Sequence, residues 1–335
     1  MPLEFSSPCA QDYSDWIGKT ESRDDEIGLT LVRRAAVLSD LDPQAYRRGV
    51  ALPPHWYSMF FTPNVEAARI GHDGHPMKGD FLPPIALPRR MFVGREVTFL
   101  RPLRVGAEAV KTSRITAITP KTGRSGPLVF VQVTHTISVA GQDAVIEKQN
   151  VVYRQSPSAD SSGSAGSAGS AGPGAGAADT DAKTGLPSTA WREERLIDPV
   201  LLFRYSALTW NSHRIHYDAD YARDEEGYRG CVMNGALTLH LLIDAALRRM
   251  DGRPLARLEA RLSSPLFLGD TMVLEGAEPA HDEASGQDTV QAWVLNPQGQ
   301  VSAQVTLGFG PVEDTADVAD SSHVAGARGT VHAAR

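Results

Sequence analysis

Hydrophobic positions along this chain follow two periods. Val131, Val133, His135, Ile137 and Val139 alternate with polar residues, the period-two pattern of a half-buried strand. Ala140-Gly141-Gln142-Asp143 supplies a turn, and Val145 to Tyr153 returns. Val301, Ala303, Val305, Leu307 and Phe309 alternate as cleanly, joined to a run over Thr289–Leu295 through the turn-forming Asn296-Pro297-Gln298-Gly299. Between these groups the period changes. From Gly235 to Met250 the chain carries Leu237, Leu239, Leu241, Leu242, Ile243, Ala246 and Leu247, predicting a helix apolar on nearly every side that other structure must enclose.

The parts recur in the same order. An early helical pattern (Leu29, Val32, Ala36) leads into Asp40-Leu41-Asp42-Pro43, a short apolar segment from His55 to Phe61, then Pro102-Leu103-Arg104-Val105-Gly106 and strands. Later, a segment around Leu201–Thr209 leads into Asn211–His216, the apolar helix, then Pro265-Leu266-Phe267-Leu268-Gly269 and strands. A repeated Pro-Leu-x-x-Gly within matching flanks indicates internal duplication. Each copy reads as an antiparallel sheet with one main helix, an α+β hot-dog arrangement. Two such sheets side by side would join their edges and remove exposed strands.

Composition adds boundaries. Residues 156–189 are dominated by Ser, Ala, Gly and Asp, with Ser-Ala-Gly repeated at 164–172, too little apolar mass to offset chain entropy. The expected organisation is an N-terminal hot-dog domain over 1–155, a flexible linker over 156–189, a C-terminal hot-dog domain over 190–312 and a disordered tail over 313–335. A net charge of -7 with scattered Arg residues argues against nucleic acid. Cys9 and Cys231 make no disulfide framework and fit a reducing cytoplasm. The start Met1-Pro2-Leu3-Glu4 is unlike a signal peptide, and no apolar run is long enough to span a membrane. The expectation is a soluble cytoplasmic protein.

The densest chemistry lies in Asn211-Ser212-His213-Arg214-Ile215-His216-Tyr217-Asp218, just ahead of Gly235. This segment resembles the type 2 hydroxyacyl-thioester dehydratases and R-specific enoyl-CoA hydratases, the MaoC-like family, whose motif runs Asp-x-Asn-Pro-Leu-His. Asn211 and His216 hold its two catalytic positions, five apart, with His213 in place of Asn and Arg214 in place of Pro. The first copy carries the frame as Asp40 to Ala45 and lacks the base. Trp16-Ile17-Gly18-Lys19, Leu52-Pro53-Pro54-His55-Trp56, Leu87-Pro88-Arg89-Arg90-Met91 and Phe203 to Thr209 resemble a narrower, double hot-dog branch that includes mesaconyl-C4-CoA and itaconyl-CoA hydratases. Asn234 and Ala236 stand where that pattern has His or Gln and Pro.

The resemblance implies hydration of an enoyl-CoA, best matched by mesaconyl-C4-CoA, with an acyl-CoA substrate and no metal, flavin or nicotinamide cofactor. By residue type, His216 titrates nearest working pH and is the expected general base and acid. Asn211 is expected to position water. The helix start at Gly235 offers unpaired N–H groups for the thioester oxygen, with glycine admitting the thioester close to the backbone. His213, Arg214, Arg89, Arg90 and Asn234 are the expected substrate contacts. The first four have plainer alternatives: a structural bond for His213, a salt bridge to Asp218 for Arg214, a solvated strand edge for Arg89 and Arg90. His72 and His75 read as a loop rather than a metal pair, since no further ligand stands near them in sequence. His240 and Asp244 line the pocket or face a neighbouring subunit. Rival readings are a hot-dog thioesterase and a non-catalytic acyl-CoA binder. The oligomeric state stays open between a single double body and a homodimer.

Overall fold

The computed structural model describes residues 12–87, 89–123, 126–155, 185–283 and 287–310. Most of the expected linker and the whole expected tail lie outside the described residues. The first half contains β1 (Thr20–Glu26), α1 (Leu29–Leu38), β2 (Arg89–Phe99), β3 (Glu108–Gly123), β4 (Gly126–Val139) and β5 (Gln142–Arg154). The second contains β6 (Trp191–Leu196), α2 (Pro199–Leu208), α3 (Ala219–Asp224), α4 (Gly235–Leu247), β7 (Leu255–Leu262), β8 (Thr271–Gly276), β9 (Ala280–Asp282), β10 (Gln287–Leu295) and β11 (Val301–Phe309).

All strands join one antiparallel sheet in the order β1-β3-β4-β5-β2-β7-β11-β10-β8-β6, with β9 paired to β10. The second five strands repeat the first five in reverse, as a duplicated unit paired edge to edge requires. The seam is the β2–β7 ladder, from Gly94 opposite Arg261 to Thr98 opposite Arg257. Each half therefore buries one edge in the other. The two Pro-Leu-x-x-Gly segments do the same work: Gly106 N–H donates to Ile27 O and Gly269 N–H to Ile197 O, both at 2.8 Å. This is a double hot-dog fold.

The strand readings hold in detail. Val131, Val133 and Ile137 of β4 are buried, and Asn296 Oδ1 closes the β10–β11 turn by accepting from the N–H groups of Gln298 and Gln300. The helices differ between halves. α4 runs through the sheet's concave face with Leu237, Leu239, Leu241, Leu242 and Ile243 buried. Its counterpart in the first half is not a long α-helix but a 3-10 helix, Pro54–Met59. Equivalence follows from the backbone: Leu52 N–H donates to Leu103 O as Met233 N–H does to Leu266 O, each at 2.7 Å. Pro54 thus stands where Gly235 stands. Phe61 adopts φ 59° and Thr62 precedes Pro63, which disfavours further helix. Trp56, Tyr57, Met59, Phe60 and Phe61 fill with side-chain bulk the space a longer helix would take.

A buried carboxylate ties the halves together. Asp244 of α4 accepts from Trp56 Nε1 at 3.1 Å and from Ser39 Oγ at the end of α1, with His55 Nε2 at 3.1 Å and His240 Nε2 at 3.3 Å. Burial works to raise the Asp244 pKa, but His240, His55 and the hydrogen bonds hold it below the usual carboxylate range. Trp56→Phe removes one of these donors from a buried acceptor. It is expected to cost about 1–3 kcal/mol in urea unfolding.

Candidate active site

α2 ends at Leu208, and Trp210 takes a left-handed φ of 50°, which turns the chain out of the helix. Asn211 N–H donates back to Ser206 O at 2.9 Å, and Asn211 Oδ1 accepts from His213 N–H at 3.0 Å. The chain then coils into a 3-10 turn, Arg214–His216, which carries His216 inward. The matching turn of the first half, Pro43–Ala45, ends on Ala45 and has no imidazole there.

His216 is buried, and its Nδ1 donates to Val232 O at 2.8 Å. A carbonyl only accepts, so Nδ1 carries the proton and Nε2 keeps its lone pair. Val232 N–H returns a bond to Ile215 O at 2.8 Å. The imidazole is thereby clamped to the segment that feeds α4. Burial pushes the His216 pKa down to about 4; the Val232 bond opposes that shift and His75 adds to it. The ring is neutral and ready to accept a proton.

At the helix start, Asn234 Oδ1 accepts from Ala236 N–H at 2.9 Å and Asn234 O accepts from Thr238 N–H at 3.1 Å. Asn234 is the N-cap of α4 and lies in the cleft lining as well. Its cap engages Ala236 N–H and leaves Gly235 N–H with no acceptor among the described residues. A Cβ on residue 235 would sit 2.4 Å from Leu262 Cδ1, so glycine also lets α4 settle against β7. Asn211, His213, His216, Asn234 and Gly235 all line one cleft of about 910 Å³ that runs onto β2.

The first half completes the wall. In the turn Gly71 to His75, Asp73 O accepts from Arg214 N–H at 2.9 Å and Gly74 O from Ser212 Oγ at 2.7 Å. Gly74 has φ +88°, and a Cβ there would lie 1.9 Å from Ser212 O, so only glycine fits this approach. The His75 ring lies 4.0 Å from that of His213, which meets His216 edge-on at 5.4 Å. Burial, then His75 and His216, push the His213 pKa down to about 2. His213 is thus a neutral ring set between His75 and His216. Asp73 Oδ2 lies 2.9 Å from His75 Nδ1. Burial opposes ionisation of Asp73, but the His75 hydrogen bonds prevail and hold its pKa below the usual range.

Among the described residues, two clusters have potential ligand atoms within 4.8 Å of one another: Asp73, His75 and His213 at the cleft, and His55, His240 and Asp244 in the core. In each the carboxylate is already hydrogen-bonded by protein donors. Reading His75 as part of a loop was correct locally and missed its place in the site. The third member, His213, lies 138 residues further along the chain. The only local signal was the tight Gly-flanked turn itself.

Arg214 is corrected. It donates to Asp218 Oδ2 from Nη2 at 2.7 Å and Nε at 3.1 Å, lies over Tyr221, and does not line the cleft. The four-residue spacing within one turn favours that pair over any ligand. Arg89 and Arg90 do line the cleft. They begin an interior strand rather than a solvated edge. Arg89 Nε pairs with Glu226 at 3.2 Å and its guanidinium covers Tyr228. Asp244 is held in the core network and does not line the cleft, so it is not the pocket residue the sequence suggested.

Two pH effects follow. Below its pKa, His216 loses the lone pair a base needs. The acid limb of kcat/KM is therefore expected near pH 4 rather than 6.5, read from a pH–rate profile. For stability, burial lowers the folded pKa of His135, His216 and His240 to about 4 from 6.5. The unfolded chain then binds more protons in that window. Stability is full above pH 6.5 and is expected to fall as pH drops toward 4, measured by urea titration at stepped pH.

Comparison with known proteins agrees with this fold. The family hydroxyacyl-thioester dehydratase type 2 matches residues 55–268. Mesaconyl-C(4)-CoA hydratase of Chloroflexus aurantiacus is 38% identical over 303 residues, 89% of this chain and 98% of that protein. HtdX of Mycobacterium tuberculosis superposes with a TM-score of 0.57 at 19% identity, over 86% of this chain and 99% of that one. A second Mycobacterium tuberculosis protein, of double hot-dog fold, gives 0.52 at 13% identity over 88% and 96%. The chain belongs to the type 2 hydroxyacyl-thioester dehydratase family.

Proposed function

We propose that this protein is an enoyl-CoA hydratase that adds water reversibly across the double bond of an enoyl thioester, with mesaconyl-C4-CoA as substrate. The observation that supports the reading is that His216 and Gly235 line one cleft. Both are fixed through Val232, whose carbonyl holds His216 Nδ1 three residues before the helix start. The mesaconyl group follows from the 38% identity to a hydratase of that thioester across 89% of this chain.

The chemistry follows from the donors. Gly235 N–H and the positive end of α4 meet the thioester oxygen as charge moves onto it, a preorganised contact of the kind that contributes about 3 kcal/mol to the barrier. His216 Nε2 takes a proton from water as its oxygen attacks the β-carbon. The imidazolium then returns that proton to the α-carbon, so H and OH add across the double bond and the base is regenerated. The burial that keeps His216 neutral destabilises the imidazolium and hastens this return. Asn211 cannot carry a proton. With Oδ1 held by His213 N–H, its Nδ2 is left to donate to the water oxygen.

Loss of enoyl-thioester absorbance with mesaconyl-C4-CoA tests the reading. His216→Ala is expected to lower kcat by about 10²–10⁴-fold. Equal rates in variant and wild type, or release of free thiol in place of hydration, would overturn it.

A further inference from the structure

A side pocket of about 290 Å³ opens beside the cleft, lined by Asp73, His75, Met77, Lys78 and Arg90 among others. Asp73, His75 and Arg90 line both spaces, so the two adjoin. The side pocket carries more positive than negative charge. Lys78 Nζ donates to Leu87 O at 2.8 Å and Ile85 O at 3.3 Å, which holds its ammonium 5.4 Å from the centre of the Tyr153 ring. Arg90 pairs with Tyr153 across the β2–β5 ladder, so both side chains leave the sheet on the same face.

Burial lowers the Lys78 pKa first and the Arg90 charge second, with Asp73 opposing. Asp73, the acid lining this pocket, already takes the ring and backbone N–H groups of His75. Neighbouring Arg89 has Glu226, whereas no carboxylate among the described residues lies within ion-pair distance of Arg90. A guanidinium in this setting, with an ammonium lining the same pocket, calls for an anion from outside the protein.

The location specifies where on the substrate that anion sits. His75 lies tilted against His213, and His213 abuts His216, so the pocket begins one ring beyond the base. We propose that it is a carboxylate subsite, in which Arg90, assisted by Lys78, holds a free carboxylate attached to the β-carbon of the enoyl thioester. Such a carboxylate repels the electron-rich water approaching the same carbon, and a guanidinium against it offsets that repulsion. The subsite selects dicarboxylic over neutral enoyl thioesters and yields a product with hydroxyl and carboxylate on one carbon. It rests on the reading of the cleft as a hydratase site.

The test compares mesaconyl-C4-CoA with 3-methylcrotonyl-CoA, in which a methyl group replaces the carboxylate. Wild type is expected to favour the dicarboxylic ester strongly in kcat/KM. Arg90→Gln is expected to lower the ratio of the two kcat/KM values about 100-fold, mainly through KM for the dicarboxylic ester. Arg90→Lys should keep more of the ratio, and Lys78→Met, a second variant should the first fail to fold, should lower it about 10-fold. A ratio near one in wild type, or an unchanged ratio in both Arg90→Gln and Lys78→Met, overturns the subsite. Should wild type hydrate neither ester, the hydratase reading fails, and calorimetric binding of the same two thioesters decides the subsite alone. A preference for mesaconyl-C4-CoA lost in Arg90→Gln supports it, and no preference overturns it.

Discussion

The hydrogen bond from His216 Nδ1 to the carbonyl of Val232 is the interaction on which the site depends. It sets the tautomer, and so which nitrogen faces the cleft. It also fixes the distance between the imidazole and the start of α4, because Val232 is three residues from Gly235. A side chain from a 3-10 turn and a backbone N–H from a helix start thereby become one rigid unit. Burial acts on that unit in one direction: it keeps the ring uncharged, and it deepens the field at the helix terminus by excluding water.

The duplicated halves have diverged around this unit. The first half carries the same two supports, a 3-10 turn at Pro43–Ala45 and a helix start at Pro54, yet neither bears the chemistry. Ala45 has no imidazole, and proline at the helix start has no N–H to offer. What the first half contributes is wall and charge. The turn at Asp73–His75 braces the Asn211–His216 loop from outside, and β2 delivers Arg89 and Arg90 to the cleft. The β2–β7 seam makes this possible, since it sets one half's strand against the other half's helix start.

Asp244 illustrates a second consequence of duplication. A carboxylate on an apolar helix is costly unless its oxygens are met. Ser39, Trp56 and His55 come from the first half and His240 from the second, so the charge is satisfied only when the halves are docked. The core network thus couples the two units that the sheet seam joins.

The sequence by itself determined the elements whose information is local. Alternation over β4 and β11, the Asn296 turn, the all-apolar helix from Gly235 and the repeated Pro-Leu-x-x-Gly each arise from neighbours within a few residues, where sterics and burial act directly. The five-residue frame from Asn211 to His216 was legible for the same reason. The tertiary structure decided the partners of long or polar side chains. Arg89 took Glu226, and His75 joined a histidine far along the chain. A guanidinium or imidazole can satisfy itself with any nearby charge or carbonyl. Which one is nearby depends on how distant segments pack, and no local pattern records that.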